Sequence, residues 1–283
     1  MTCPECGNGV RKHERNCAVC DADVGYPNVR AAQDAGEISA LERRVEEASR
    51  LCANRGCGAL LGEFLNAVRT SRAVLCRSLH QVMALLSSDN EIYAAFYAQV
   101  NARIRRPEET LVERERLIAD NLLFPYFHEE IRFAALSLDG RGVGHYGACA
   151  LVLSELAIKH RATVFEKNSV EFCRERKLGV GKPVPCGFRA VWQERGKLAA
   201  AKLHNRLDPN RDSSQFAGVL LADSEGEGSP DFIEVHIYGP VHRRAIESVV
   251  VRGPMDPSAE ALLIEITRRA EEFNAKVTRE TTA

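Results

Sequence analysis

The sequence predicts a mixed α+β fold in three segments, and three observations support that prediction. Four of the ten cysteines lie in the first twenty residues, in a segment with almost no apolar bulk. Apolar residues then recur at helical spacing to about residue 125 and follow the two-residue period of strands after it. The later strands and helices do not alternate regularly, which favours α+β over a parallel α/β sheet. The predicted segments are 1–33, 34–125 and 126–283.

The composition excludes several classes of protein. Hydrophobic residues make up 45% of the chain and charged residues 27%, which is the ordinary range of globular proteins and excludes dominant disorder. The longest apolar runs are far shorter than the roughly 20 residues that a membrane span needs, and the N-terminus has no secretory pattern. We therefore expect a cytoplasmic protein with no membrane partner. The net charge of −1 excludes a globally basic nucleic-acid coat protein.

The N-terminal cysteines form two C-x₂-C pairs, Cys3 with Cys6 and Cys17 with Cys20, separated by ten residues. Each pair places two thiolates about one tetrahedral edge apart, and two pairs complete a Cys₄ site. The spacing predicts a zinc ribbon over 1–33, folded by Zn²⁺ rather than by a hydrophobic core. Four protein ligands leave no open position, so the zinc is expected to be structural. Four basic and four acidic residues in 1–30 balance, so a phosphate partner is not favoured over a protein partner.

The middle segment, 34–125, is predicted to be helical. Apolar residues at spacings of three and four indicate helices over 38–52, 61–68 and 75–86, with a strand over 73–76 as the alternative. Asp89 is the expected N-cap of a further helix carrying Ile92 and continuing to Ile104. Thr110 and Glu113 form a capping-box pair before the last helix of this segment.

The C-terminal segment, 126–283, contains stretches with the two-residue apolar period of strands and stretches with the apolar period of helices. Strands are predicted over 131–138, 149–156, 162–165, 215–222, 232–238 and 248–251. A helix is predicted over 188–207, and Asp256 followed by Pro257 is the expected start of the last helix.

One strand of this segment carries a candidate site. In 232–238, Glu234 shares a strand face with Phe232, His236 and Tyr238, because alternate side chains point to the same side. A carboxylate between aromatic side chains and a histidine is a reasonable catalytic group. The alternative is an amphipathic edge strand with its polar side in water.

The order of motifs around that strand resembles the ADP-ribosyltransferase fold of bacterial toxins over residues 126–252. A Tyr146-Gly147 turn leads into a strand, a segment with Arg161, Thr163 and Ser169 follows, and Glu234 comes late, before Gly239-Pro240. The resemblance implies NAD as the substrate and Glu234 as the catalytic glutamate. Its carboxylate would hold the ribose 2′-hydroxyl and stabilise the positive charge that develops as nicotinamide leaves.

The resemblance also assigns the other candidates. The catalytic set is Glu234, Tyr146 and His145, and the cofactor-binding set is Arg132, Arg161, Thr163, Ser169 and His236. Tyr146 or Phe165 would stack on nicotinamide, and Arg132 or His145 would anchor the ribose or the phosphates. The Ser-Thr-Ser form of the family is absent. A second glutamate two residues from Glu234 is also absent, which puts arginine modification in doubt.

The sequence therefore predicts an intracellular NAD-dependent ADP-ribosyltransferase or NAD glycohydrolase, with a toxin or defence effector as the implied setting. The acceptor is a protein, a nucleic acid or water. Residues 171–206 hold nine basic and three acidic side chains, which would meet the NAD pyrophosphate or a nucleic acid, or form a solvated helix face. The alternative function is a non-enzymatic zinc-ribbon module that binds nucleic acid or a partner protein.

Overall fold

A computed structural model describes residues 1–87, 92–93, 111–179, 181–222 and 230–280. Within them the chain has the predicted α+β architecture. Its centre is an eight-stranded sheet in the order β10-β9-β4-β1-β3-β7-β5-β6. Neighbouring strands are antiparallel except β9 and β10. Two short strands, β2 and β8, pair separately.

The strands are β1 (Arg72–Arg77), β2 (Ile92–Tyr93), β3 (Ile131–Ser137), β4 (Cys149–Leu153), β5 (Ala162–Phe165), β6 (Arg189–Val191), β7 (Glu234–Tyr238), β8 (Val241–His242), β9 (Ile246–Arg252) and β10 (Lys276–Glu280). The helices are α1 (Pro27–Ala32), α2 (Ala35–Asn54), α3 (Gly58–Val68), α4 (Leu79–Leu86), α5 (Leu111–Leu123), α6 (Glu155–Ile158), α7 (Ser169–Glu175), α8 (Arg195–Leu203), α9 (Phe216–Leu220) and α10 (Pro257–Glu271). The predicted strands near 131, 149, 162, 232 and 248 and the helix starting at Asp256-Pro257 are confirmed.

Strand β1 comes from the segment predicted to be helical. Its central residues 73–76 are fully buried, and the strand lies between β3 and β4. The alternative strand over 73–76 is therefore the one that forms. An uninterrupted buried run of small and branched side chains suits a central strand better than an amphipathic helix. Helices α2, α3 and α4 match the rest of that segment, with Asp34 as the side-chain N-cap of α2.

Two predictions in the second half of the chain need correction. Residues 188–207 are not one helix: they form β6, a 3₁₀ turn at Trp192–Glu194 and then α8. Buried Trp192 donates its indole N–H to Glu155 at 2.7 Å, which fixes the turn. The predicted strand 215–222 is helical at α9, because Phe216, Val219 and Leu220 recur at helical spacing and are buried on one side.

The helix predicted from Asp89 falls mostly outside the described residues. Ile92, which was expected to lie on that helix, is instead in β2 and pairs with His242 of β8. Asp89 and 94–104 lie outside the described part of the chain, as does the capping residue Thr110. From Leu111 onward the predicted helix is present as α5.

The two faces of the sheet have separate cores. One face supports the larger hydrophobic cluster, which takes in α2, α3, α8 and α10. On the other face, α5 and α7 pack over β3, β5 and β7 around a second cluster that includes Phe124, Phe165 and Phe172. The second cluster lies beside Glu234, so this face carries the candidate site.

The N-terminal segment is held in two different ways. Residues 1–25 contain a small cluster of Cys3, Cys17, Val10 and Val24 and two isolated backbone bridges. Helix α1, in contrast, packs against β5 and β6, and its residues Pro27, Asn28 and Ala32 are buried. The last residues of the predicted ribbon segment, which form α1, therefore pack directly against the sheet.

Candidate functional site

The four N-terminal cysteines converge as their spacing predicts. Their sulfur atoms all lie within 4.8 Å of one another, and the Cys3–Cys20 and Cys6–Cys17 pairs are each 3.6 Å apart. A tetrahedral site with metal–sulfur bonds of about 2.3 Å has sulfur–sulfur edges of roughly 3.8 Å. The arrangement therefore fits a tetrahedral metal ion. In the described part of the chain it is the one cluster of this kind.

The ribbon contacts the sheet close to the candidate strand. The Asn28 amide donates to the backbone carbonyl of Arg161 at 3.0 Å and to that of His236 at 3.2 Å. The Tyr26 ring lies 5.5 Å from the Tyr238 ring, and the Arg15 guanidinium lies 4.4 Å above Tyr26. The cysteine cluster is thus attached to the same strand, β7, that carries Glu234.

Glu234 is the centre of a buried polar group. Its side chain is 3% exposed, at a register position opposite Ala135 of β3 and Phe165 of β5. Its Oε2 accepts hydrogen bonds from the Ser169 backbone N–H at 3.0 Å and hydroxyl at 2.6 Å. His236 Nε2 lies 2.9 Å from the same oxygen. Three of the sequence-predicted residues, Glu234, Ser169 and His236, are therefore in direct contact.

The other oxygen of Glu234 faces helix α5. Its Oε1 lies 3.3 Å from Arg116 Nη1, and Arg116 Nε lies 3.1 Å from a carboxylate oxygen of Asp120. The Arg116 guanidinium carbon is 3.6 Å from the centre of the Phe133 ring. Arg116 thus covers Glu234 while stacked on an aromatic ring. We call Glu234, Ser169, His236, Arg116 and Asp120 the Glu234 cluster.

The surroundings keep Glu234 ionised. Burial alone would raise the pKa of its carboxyl, but the positive charge of Arg116 and the hydrogen bonds from His236 and Ser169 outweigh it and lower that pKa to about 2. The His236 ring is held among Phe124, Phe133 and Phe165, with ring-centre distances of 4.8, 5.3 and 5.5 Å. The carboxylate is therefore ionised, paired with Arg116, and held beside a histidine that packs among aromatic rings.

Two of the predicted residues, Arg132 and Arg161, have partners outside this cluster. Arg132 pairs with Ile237, one position from His236, so its side chain leaves the opposite face of the sheet. It is buried there and donates to the backbone carbonyl of Glu129. Arg161 donates to the carbonyls of Tyr238 and Pro240 at 2.6 and 2.8 Å. Burial lowers the pKa of both arginines.

The remaining predicted residues lie at different distances from Glu234. Thr163 is buried opposite His236 in the register of β5 and β7. Tyr146 is 45% exposed, and its hydroxyl accepts a 3.5 Å hydrogen bond from Asn168, the residue before Ser169. Burial and the negative charge of Glu234 both raise the pKa of Tyr146. His145 is exposed and contacts the edge of Tyr146.

Arg77 is a cation near Tyr146 that the motif order did not single out. It ends β1 and is partly buried, and desolvation lowers its pKa to about 10, opposed by the charges of Cys76 and Tyr146. Gly147 keeps the Tyr146 turn against β1: its φ is +146°, and an added Cβ would lie 2.3 Å from the carbonyl carbon of Arg77. The close approach of the turn to β1 therefore requires glycine.

Arg116 and Asp120 were also missed. They lie one helical turn apart on α5, and a charged i, i+4 pair is usually a solvated surface feature. The signal that distinguishes them is position: Asp120 falls on the apolar side of the helix with Ala119 and Leu123, and all three are buried.

The basic stretch 171–206 does not form one free patch. Most of its cations have acidic partners: Arg174 pairs with Glu115, Arg189 with Glu37, Arg195 with Glu155, Lys197 with Glu194, and Lys202 and Arg206 both with Asp231. Arg206 also lines a cavity of about 500 Å³, together with Arg55 and Arg211. No member of the Glu234 cluster lines that cavity.

Comparison of the chain with protein-family models and with curated proteins finds no significant match. No helix in the described ranges is long and apolar enough to cross a membrane.

Proposed function

We propose that the protein cleaves the nicotinamide–ribose bond of NAD, as an ADP-ribosyltransferase or NAD glycohydrolase, with Glu234 as the catalytic carboxylate. The observation that best supports this proposal is the fixed orientation of the Glu234 carboxylate. One carboxylate oxygen takes hydrogen bonds from Ser169 and lies against His236, whose ring packs among aromatic side chains. A preorganised negative charge is what stabilisation of a ribosyl cation requires.

The chemistry assigns a role to each group. The C1′–N bond breaks, its electron pair leaves with neutral nicotinamide, and positive charge develops on the ribose beside Glu234. Water or an acceptor hydroxyl or amine then bonds to C1′ and releases a proton. Tyr146, part-exposed near Glu234, would stack on nicotinamide, and Arg77 beside it is the cation best located for the phosphates. Ser169 and His236 orient the carboxylate.

The ribbon cysteines would hold a structural Zn²⁺. Thiolates in a closed tetrahedral set are the ligands that structural zinc takes, and four of them leave no position for substrate. Through Asn28 the ribbon would stabilise β7 at His236. A toxin or defence effector that modifies a macromolecule remains the setting that the resemblance implies.

A second candidate is a non-enzymatic zinc-ribbon module for a protein or nucleic-acid partner. The burial of Glu234 favours it, because a carboxylate covered by Arg116 also suits a purely structural role that fastens α5 and α7 to the sheet. The two candidates differ in whether NAD is a ligand.

The test is nicotinamide release from NAD, with and without cell extract as the source of acceptor. Because Arg116 covers Glu234, the assay uses the wild type and Arg116→Ala, each with and without Glu234→Gln. We expect Glu234→Gln to lower release by about 10²–10³-fold, while Glu175→Gln, an exposed acid on α7, leaves it unchanged. NAD should also raise the melting temperature. No release and no shift in either background would favour the second candidate.

A further inference from the structure

The two oxygens of Glu234 have different kinds of partner. Oε2 is held by Ser169 and His236, which belong to the sheet and to α7 directly after it. The partner of Oε1 in the described part of the chain is Arg116 of α5, which donates a 3.3 Å hydrogen bond to it. If α5 moved away, the carboxylate would keep its orientation and expose one oxygen. The groups that orient Glu234 therefore lie on β7 and α7, whereas the group that covers its second oxygen lies on α5.

Arg116 has the properties of the species that Glu234 would stabilise. It is a planar cation, it lies flat on the Phe133 ring at 3.6 Å, and it neutralises the carboxylate charge. A substrate that develops positive charge at this place needs the same carboxylate oxygen and the same volume. Substrate and Arg116 cannot occupy the site together.

Helix α5 is attached mainly by contacts that are separate from the large core. Its buried residues Ala119 and Leu123 belong to the smaller hydrophobic cluster. A surface ion pair joins its Glu115 to Arg174 of α7. On the outer side, Leu117 and Ile118 are 43% and 51% exposed. Displacing α5 would therefore leave the larger hydrophobic cluster intact.

From these observations we propose that α5 is an autoinhibitory cap and that Arg116 occupies the place of the substrate cation at Glu234. The proposal rests on the proposed function for the identity of the substrate, and on the geometry of the Glu234 cluster for the cap itself. Turnover of NAD then requires α5 to move, and the apparent affinity for NAD is reduced by the fraction of molecules that are open.

The first arm of the test measures nicotinamide release. Arg116→Ala should raise release at limiting NAD by at least about tenfold, since an open fraction of roughly 10% or less imposes that factor. Because this change leaves Asp120 buried beside an empty site, the double variant Arg116→Gln/Asp120→Asn provides a charge-balanced second form. Glu175→Gln removes an exposed ion pair with Lys167 that does not involve α5, and we expect release at the wild-type rate.

The second arm does not depend on NAD. Carboxyl groups are labelled with a water-soluble carbodiimide and glycinamide, and labelling of Glu234 is read by mass spectrometry of peptides. We expect Glu234 to be protected in the wild type and in Glu175→Gln, and labelled at least about tenfold faster in the two Arg116 variants.

The outcomes separate the two proposals. Faster labelling of Glu234 without nicotinamide release from any form supports the cap and refutes the NAD reaction. Release from the wild type that the Arg116 variants do not increase refutes the cap and leaves the NAD reaction standing. Protection of Glu234 in both Arg116 variants, when they are folded by circular dichroism, also refutes the cap.

Discussion

The cysteine cluster and the Glu234 cluster are held together in opposite ways. Four sulfur atoms within 4.8 Å of one another contain no cation of their own and are supported by only a few apolar side chains. The Glu234 cluster includes the cation Arg116, and every polar bond that fixes Glu234 comes from this chain. The first cluster could hold a metal ion. The second already contains a cation paired with Glu234, so a ligand at that carboxylate oxygen would have to displace Arg116.

The largest expected effect follows from removing the metal. A chelator of high zinc affinity should unfold residues 1–25, because structural Zn²⁺ contributes on the order of 10–16 kcal/mol to such a segment. The main sheet should keep its thermal transition, since its core does not include the ribbon. Amide spectra by NMR before and after chelation, with elemental analysis for zinc, measure both. A ribbon that stays folded in metal-free protein would show that the two clusters do not differ as described.

The next effect is the loss of the buried carboxylate. Glu234→Ala leaves Ser169 and His236 without their acceptor and Arg116 without one of its two carboxylates. Breaking a buried pair in this way typically costs about 3–5 kcal/mol of unfolding free energy. The control, Glu175→Ala, removes a 60% exposed partner of Lys167 and should cost less than about 1 kcal/mol. Urea denaturation of the two variants gives the comparison, and equal losses would contradict it.

The smallest expected effect on stability comes from removing Asn168, the N-cap residue that precedes Ser169. The Asn168 side chain accepts from the Val170 and Glu171 N–H groups at the start of α7. Asn168→Ala should lower the unfolding free energy by about 1 kcal/mol. Asp256→Ala removes the matching N-cap of α10, where Asp256 accepts from Ala259 at 2.8 Å, and should cost a similar amount.

The two N-cap variants should differ in activity. Only Asn168→Ala removes the N-cap beside Ser169 and so weakens the hydrogen bonds of Ser169 to Glu234. Only that variant should therefore release nicotinamide more slowly than the wild type. A parallel loss in Asp256→Ala would mean that general stability, not the position of Ser169, governs the reaction.

The difference between the cysteine cluster and the Glu234 cluster also explains which residues the sequence could predict. The cysteine site depends on two short turns, so the C-x₂-C spacing was sufficient. Glu234 and His236 share a face of one strand, and alternation predicted that too. Arg116 and Asp120 join them only because the sheet places α5 over β3 and β7, and no local pattern contains that information. The structure places Arg132 on the other face of the sheet from Glu234, because one step in register moves a side chain to the other face.

Strand β1 shows that the prediction of the fold was limited in the same way, because non-local pairing decides its structure. Its apolar run fits a helix continuing into α4 as well as a strand, and the choice depends on pairing with β3 and β4. Similarly, residues 215–222 form a short apolar run that was predicted as a strand, whereas the helical spacing of Phe216, Val219 and Leu220 matches the core that buries them.

The charge state of Glu234 is the central claim, and an NMR titration of its side-chain ¹³C carboxyl signal, assigned with Glu234→Gln, tests it most directly. Because the folded pKa of about 2 is below the ordinary value of 4.5, ionised Glu234 stabilises the fold above about pH 4.5. That contribution is lost as the pH falls toward 2. We predict a signal that stays at the ionised position from about pH 7 to about pH 3.5. A sigmoidal titration with its midpoint near 4.5 or higher would contradict the account.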